Sequence, residues 1–158
     1  ELADLTLSVN SRRAFLKGAE LLSRRAHGKA ELTRKLTQKY PRECAEQAAD
    51  KLEKLGLIND GEFADMLAQE LYTHRKYGVS RVKQELLRRG IDRALAEEAA
   101  ERLDKDDLNR IILLLQTKYR NNLGDEKGII RTKNSLLRLG YSYSDIRAAF
   151  ESIENESF

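Results

Sequence analysis

The chain has 158 residues, of which 35% are charged and 6% aromatic, with one Pro, no Trp and a formal net charge of +3. That length suits one domain or one short array, and the longest apolar run, Ile111 to Leu115, is far too short to span a bilayer, so no membrane association is expected. A lone Cys44 allows no internal disulfide and no stretch has the order of a signal peptide, which leads to the expectation of a cytoplasmic protein.

Residues 1–10 alternate apolar and polar positions through Leu5, Leu7 and Val9, which reads as a short extended segment without a partner strand, an N-terminal arm. From Ser11 a helical period takes over, with Phe15, Ala19, Leu22 and Ala26 at i, i+4, i+7 and i+11. Gly28 interrupts it, and Glu31 three residues on fits a capping box for a second helix carrying Leu32, Leu36 and Tyr40. Pro41 opens a third helix, with Ala45, Ala48, Leu52 and Leu55 inward and Gly56 as its stop.

Asn59 and Glu62 mark the next start, and Phe63, Leu67 and Leu71 give its stripe. The stretch RKYGVSRVKQELLRRGI, Arg75 to Ile91, is a short helix between two glycines: Val79, Val82 and Leu86 form one apolar stripe, and Arg81, Lys83, Arg88 and Arg89 lie off it. Asp92 caps a following helix through Leu95, Ala99 and Leu103. Leu108, Ile111, Ile112, Leu115 and Tyr119 make the most apolar stripe in the chain, which predicts the best buried helix. After a loop at 121–124, a helix starting at Asp125 or Gly128 runs to Gly140, and Ile146, Ala149, Phe150 and Ile153 define a ninth.

These elements recur. Gly28, Gly78 and Gly128 stand 50 residues apart, as do Leu36, Leu86 and Leu136, while Gly90 and Gly140 keep the step with Tyr40 in the equivalent place. A period of that size with helix signals inside it predicts an all-α fold of three tandem three-helix repeats, an elongated and curved array. The expected divisions are an arm over 1–10 and repeats over 11–58, 59–104 and 105–158. Charge follows the period: residues 11–40 hold 9 cations and 2 acids, 41–70 hold 3 and 8, 71–90 hold 6 and 1, and 91–110 hold 4 and 7. Stacked in register, such units would gather a basic stripe and an acidic one.

Four stretches resemble the RecX family of RecA regulators: LLSRRAHGKAELTRKL (21–36), GLINDGEFADML (56–67), the Arg75 to Ile91 stretch, and LLRLGYSYSDIRAAF (136–150). Single motifs among them are unspecific, whereas four in register cover nearly everything after residue 10. The resemblance implies a non-enzymatic modulator that binds the RecA recombinase and its filament on single-stranded DNA, restraining ATP hydrolysis, strand exchange and LexA-type cleavage in DNA repair and the SOS response. Three positions depart from the family pattern: Gly28 where Ser is frequent, Val79 where Pro is, and Leu139 where a second Arg is usual.

The candidate partner-binding residues are Arg24, Arg25, Lys29, Arg34 and Lys35 in the first repeat and Arg75, Lys76, Tyr77, Arg81, Lys83, Arg88 and Arg89 in the second, expected on a largely concave basic face. The plainer reading of the same residues is a solvated helix surface. A helical nucleic-acid-binding module acting directly on DNA or RNA is the alternative function, and weak direct DNA binding is compatible with either. Tyr72 and Tyr77 flank basic residues and read either as base-stacking platforms or as tyrosines packed at a helix end. His74 has Glu70 four residues before it, a pair that reads as a surface contact and not a metal site, Cys44 has no His or Lys nearby to activate it, and phosphate loops of either common type are missing. No catalytic residue, metal or cofactor is therefore expected, and the protein is expected to be a monomer.

Overall fold

A computed structural model of the chain describes residues 1–156, which fold into nine α-helices and one 3-10 turn with no strand among them. The helices are α1 (Leu2–Arg24), α2 (Lys29–Thr37), α3 (Arg42–Lys54), α4 (Asp60–Thr73), α5 (Val79–Arg88), α6 (Arg93–Glu101), α7 (Asp107–Gln116), α8 (Glu126–Arg138) and α9 (Tyr143–Glu156), and the turn is Arg120–Asn122.

Stop signals in the sequence correspond to built caps. Gly56, Gly90 and Gly140 have φ of 77°, 87° and 97°, a region that costs a residue with a Cβ. Each lets the next residue's N–H reach a carbonyl five back, as in Leu57 to Leu52, Ile91 to Leu86 and Tyr141 to Leu136, which satisfies carbonyls the helix would otherwise leave bare. Starts are capped by short polar side chains: Asn59 accepts from the Glu62 N–H at 3.1 Å, Asp92 from Ala94 at 3.3 Å, and Ser142 from Asp145 at 3.1 Å. Asp125 accepts from the Gly128 N–H at 2.8 Å, so α8 starts at the earlier of its two candidate positions.

Several expectations need correction, among them Leu55, expected inward on α3 but exposed at its C-terminal end. Residues 2–10 are the first half of α1, not an extended arm, because Leu7 packs on the core together with Ala14, Gly18 and Leu21 at helical spacing, a period that the alternation of Leu5, Leu7 and Val9 hides. Glu31 does not complete a capping box with Gly28. Its carboxylate turns to Arg25, and the α2 N-terminus is capped by Asp60, whose Oδ1 accepts from the Lys29 N–H at 2.8 Å.

By internal contacts the chain forms two compact units, Glu1–Leu67 with Leu86–Ala99, and Ala68–Glu85 with the described residues from Ala100 on. In the first, Ala14, Leu32, Leu36, Cys44, Ala45, Ala48, Ala49, Leu52 and Ile58 are buried, with Phe15, Ala19 and Leu22 partly buried against them. Ala26, past the end of α1, is exposed. A Cβ on Gly18 would stand 2.7 Å from the Leu52 side chain, so α1 lies close against α3. In the second unit, Ile111, Leu114, Leu115, Tyr119, Leu136, Tyr141, Ile146 and Ala149 form the core, while Leu108 at the start of α7 is exposed.

Burial keeps the 50-residue step. Gly28, Gly78 and Gly128 are buried, as are Leu32, Val82 and Thr132 and then Leu36, Leu86 and Leu136, whereas Arg34, Gln84 and Asn134 face out. Helix starts follow the same logic: the Asp60 cap on α2 has a counterpart in Asp107, whose Oδ2 accepts from the Val79 N–H of α5 at 3.4 Å. Glycines closing one helix also rest on the first turn of an earlier one, Gly90 on Ala30 and Gly140 on Arg81.

Candidate functional site

Several candidate cations of the first unit are engaged internally. Glu31 is buried at the side of α2 and pairs with the Arg25 guanidinium at 2.6 Å and with Lys35 at 3.8 Å. Burial alone would raise the Glu31 carboxyl, but the Arg25 hydrogen bond and the surrounding positive charge outweigh it and hold the carboxyl below its ordinary value. His27 is buried beside it: Nδ1–H donates to the Arg25 carbonyl at 2.9 Å, which leaves Nε2 to accept from Lys35 Nζ at 3.0 Å. Desolvation lowers the His27 pKa, and the charges of Arg25 and Lys35 add to it against the hydrogen bond to the Arg25 carbonyl, which acts in the opposite sense.

Lys29 is held by Asp50 at 2.7 Å and Glu53 at 3.0 Å, and those two hydrogen bonds raise its pKa. Arg24 pairs with Glu20 at 2.7 Å on the surface of α1. Arg34, Arg88 and Arg89 are exposed. Arg34 borders an open groove of about 680 Å³ with Lys29, Thr33, Thr37 and Arg42, whose positive charge is partly offset there by Glu46 and Asp60.

In the second unit the candidate residues gather around the start of α5. Arg75 and Lys76 are exposed, and Lys76 adopts a left-handed conformation with φ of 59°. Its carbonyl accepts from the Tyr141 hydroxyl at 2.6 Å, which fixes a backbone turn that a Lys would otherwise avoid. Burial pushes the Tyr141 hydroxyl up to about 12, so it remains a donor across the working range. Tyr77 is half-buried under the Arg81 guanidinium, 4.6 Å from its ring centre. Arg81 also donates to the Arg138 carbonyl at 2.6 Å and pairs with Glu85 at 3.3 Å, so it acts as a brace. Lys83 is half-buried on the same helix.

Sequence spacing gave no sign of the network beneath this turn. Arg110 of α7 stacks on the Tyr72 ring at 3.4 Å and donates to the carbonyls of Tyr72 and Tyr77. The Tyr72 hydroxyl meets the Asp104 carbonyl and Asp107 Oδ1, so it packs at a helix end with its hydroxyl bonded within the protein. The acids at the start of α7 read in sequence only as a helix start, because their partners lie more than 25 residues away. Among the described residues no three His, Cys, Asp or Glu side chains come together as metal ligands, and no helix is long and apolar enough to cross a membrane. Each unit by itself offers exposed positive charge, at Arg34, Arg88 and Arg89 in the first and at Arg75 and Lys76 in the second.

Residues 14–52 match the first three-helix domain of RecX and residues 59–99 the second. A regulatory protein RecX of Trichlorobacter lovleyi is 34% identical over 146 residues, 87% of this chain and 93% of that protein. One of Pseudomonas syringae pv. tomato is 35% identical over 106 residues, 66% of this chain and 67% of that protein. The crystal structure of RecX from Lactobacillus salivarius superposes with a TM-score of 0.78 at 22% identity, covering 93% of this chain and 98% of that one. A second crystal structure, of a regulatory protein RecX, gives 0.80 at 18% identity over 95% of this chain and 76% of that one. At those identities the structures show a shared fold.

Proposed function

Because this chain belongs to the RecX family of regulatory proteins, we propose that it binds the RecA recombinase and its filament on single-stranded DNA and restrains the filament's ATPase, strand-exchange and co-protease activities. In this reading it acts in the cytoplasm, without chemistry of its own, on recombinational repair and the SOS response. One observation carries the site: internal pairing consumes Arg25, Lys29, Lys35 and Arg81, yet leaves Arg34, Arg75, Lys76 and Arg89 exposed on short helices and turns. Exposed guanidinium and ammonium groups gain by displacing counterions from phosphates or meeting acidic protein surface, and they lose that gain in salt.

The test is a set of three titrations, against RecA alone, single-stranded DNA alone and the assembled filament. A filament regulator binds the filament more tightly than naked DNA and lowers its ATP hydrolysis. Equal affinity for naked DNA and filament, with no effect on hydrolysis, would instead assign the same cations to a nucleic-acid-binding module.

A further inference from the structure

Within the first unit, α1 and α3 leave a cleft of about 570 Å³ between them. Ser8, Ser11, Arg12 and Phe15 line it from α1 at i, i+3, i+4 and i+7, and Gln47 and Lys51 line it from α3 at i and i+4. Each helix therefore turns one continuous stripe into the cleft. Its volume suits a small ligand, and Leu16 and Ala48 extend the apolar wall that Phe15 begins.

The polar groups in the cleft select an anion. Both charged side chains that line it are cations, and among the described residues neither Arg12 nor Lys51 has a carboxylate partner, unlike Arg25, Lys29 and Lys35. Lys51 Nζ lies instead 4.7 Å from the centre of the Phe15 ring. The Ser11 hydroxyl donates to Gln47 Oε1 at 3.1 Å, which orients the amide and leaves its N–H groups to donate elsewhere. Asp4 and Glu43, four residues before Ser8 and Gln47, continue the two stripes but do not line the cleft, and Lys54 follows Lys51 by three residues.

We propose that this cleft binds a nucleoside phosphate, with the phosphate held by Arg12, Lys51, the Gln47 amide and the Ser8 hydroxyl and the base laid on the Phe15 ring. A phosphate presents three acceptor oxygens to such a set of donors, where a carboxylate presents two. The cation–π contact of Lys51 is weak at an exposed site, and a charge-assisted hydrogen bond to phosphate is the stronger partner. When Lys51 leaves the ring it uncovers an aromatic face, on which a planar base stacks beside Leu16 and Ala48. The same chemistry comes from a free mononucleotide or from one unit of a single strand. None of these residues is among the exposed cations assigned to filament binding, so the two readings fail independently.

The test is a nuclear magnetic resonance titration of the full isotope-labelled chain with AMP, adenosine, inorganic phosphate and a short oligothymidylate. AMP should produce saturable shifts at Ser8, Ser11, Phe15, Gln47 and Lys51, with a dissociation constant on the order of 0.1–1 mM, and adenosine and inorganic phosphate should each bind at least about tenfold more weakly. Arg12→Gln and Lys51→Gln should each weaken AMP by roughly fivefold to tenfold. Phe15→Leu, which keeps an apolar group against the core, should weaken AMP without weakening inorganic phosphate, and Arg34→Gln should change neither. Stronger shifts at the same residues with oligothymidylate than with AMP would identify the strand as the source, and the reverse would identify the free nucleotide. No shift at these five residues with AMP or oligothymidylate up to about 5 mM would overturn the proposal, as would AMP affinity unchanged in the folded Arg12→Gln/Lys51→Gln variant. Unchanged AMP affinity in Phe15→Leu would overturn the placement of the base.

Discussion

The three glycines that share one place in the 50-residue period are expected to differ sharply in what they tolerate. Gly28 is the N-cap of α2 with φ of −72° and ψ of 156°, which any residue adopts, and a Cβ there would touch Phe63 and Ile91 at 3.4 Å, an ordinary contact. Gly28→Ala trades a weaker cap against a less flexible unfolded chain, two effects of about 0.5–1 kcal/mol each and opposite sign, so stability changes by less than about 1 kcal/mol. At Gly78 the added Cβ would stand 2.5 Å from the Gly140 carbonyl oxygen and 2.8 Å from the Tyr141 nitrogen, both backbone atoms. Relief requires moving the turn at Gly140, which also stretches the 2.7 Å hydrogen bond from the Gly78 N–H to the Leu139 carbonyl. Overpacking at about 1–3 kcal/mol and one strained hydrogen bond at about 1 kcal/mol give roughly 2–4 kcal/mol. At about 2–4 °C per kcal/mol for a chain of this size, Tm falls by roughly 5–15 °C. Gly128→Ala drives its Cβ into the Asn122 carbonyl and belongs with Gly78→Ala. Far-UV circular dichroism melts and urea titrations of the three variants provide the comparison. Equal melting of Gly28→Ala and Gly78→Ala would refute the argument that backbone proximity, and not the repeat position as such, sets the cost.

Arg81→Glu should destabilise the fold by about 1–3 kcal/mol, because it removes the charged donor to the Arg138 carbonyl and sets two acids side by side with Glu85, whereas Arg88→Glu/Arg89→Glu at exposed positions should shift stability by about 1 kcal/mol or less; urea titration distinguishes them. Tyr141→Phe should cost about 1 kcal/mol and speed hydrogen exchange around Lys76 to Val79, since the left-handed turn loses its hydroxyl donor; unchanged exchange there would show that the turn is held by other contacts. His27 is neutral in the folded protein and its pKa is lowered from 6.5, so the unfolded chain binds a proton first as pH falls. Stability is then complete above about pH 6.5 and declines as pH falls below it, until the lower folded pKa is reached. In His27→Gln, which keeps a donor for the Arg25 carbonyl and an acceptor for Lys35, that decline should be flatter in urea titrations between pH 7 and 5, the remaining acid sensitivity coming from carboxylates such as Glu31 at lower pH.

Local rules made most of the fold legible. Gly56, Gly90 and Gly140 announced helix ends because a left-handed cap selects glycine whatever surrounds it, and Asn59 and Asp92 announced starts because their partners lie within three residues. The period itself was visible in Leu36, Leu86 and Leu136, all buried at one place in α2, α5 and α8. What escaped reading was long-range pairing. Asp60 caps a helix that starts 31 residues earlier, and Arg110 braces a turn more than 30 residues back, so neither leaves a local spacing. The same holds among the candidate cations: Arg25, Lys35 and Arg81 look equivalent to Arg34 and Arg89 in sequence, and only the buried carboxylate of Glu31 and the carbonyl of Arg138 separate braces from outward charges. The first turns of α1 were misread because a short apolar alternation satisfies period 2 and period 3.6 alike until its packing is known.

The most direct test of the regulatory account follows ATP hydrolysis by RecA filaments on single-stranded DNA as the wild-type chain or Arg88→Glu/Arg89→Glu is added at several salt concentrations, with melting of both proteins recorded alongside. The account predicts that the wild-type chain inhibits, that inhibition weakens steeply with salt by roughly 0.7 power of salt concentration per phosphate contacted, and that the folded double variant requires at least about tenfold more protein for the same effect. A double variant that melts like the wild type and inhibits equally well would contradict it and place recognition outside these arginines.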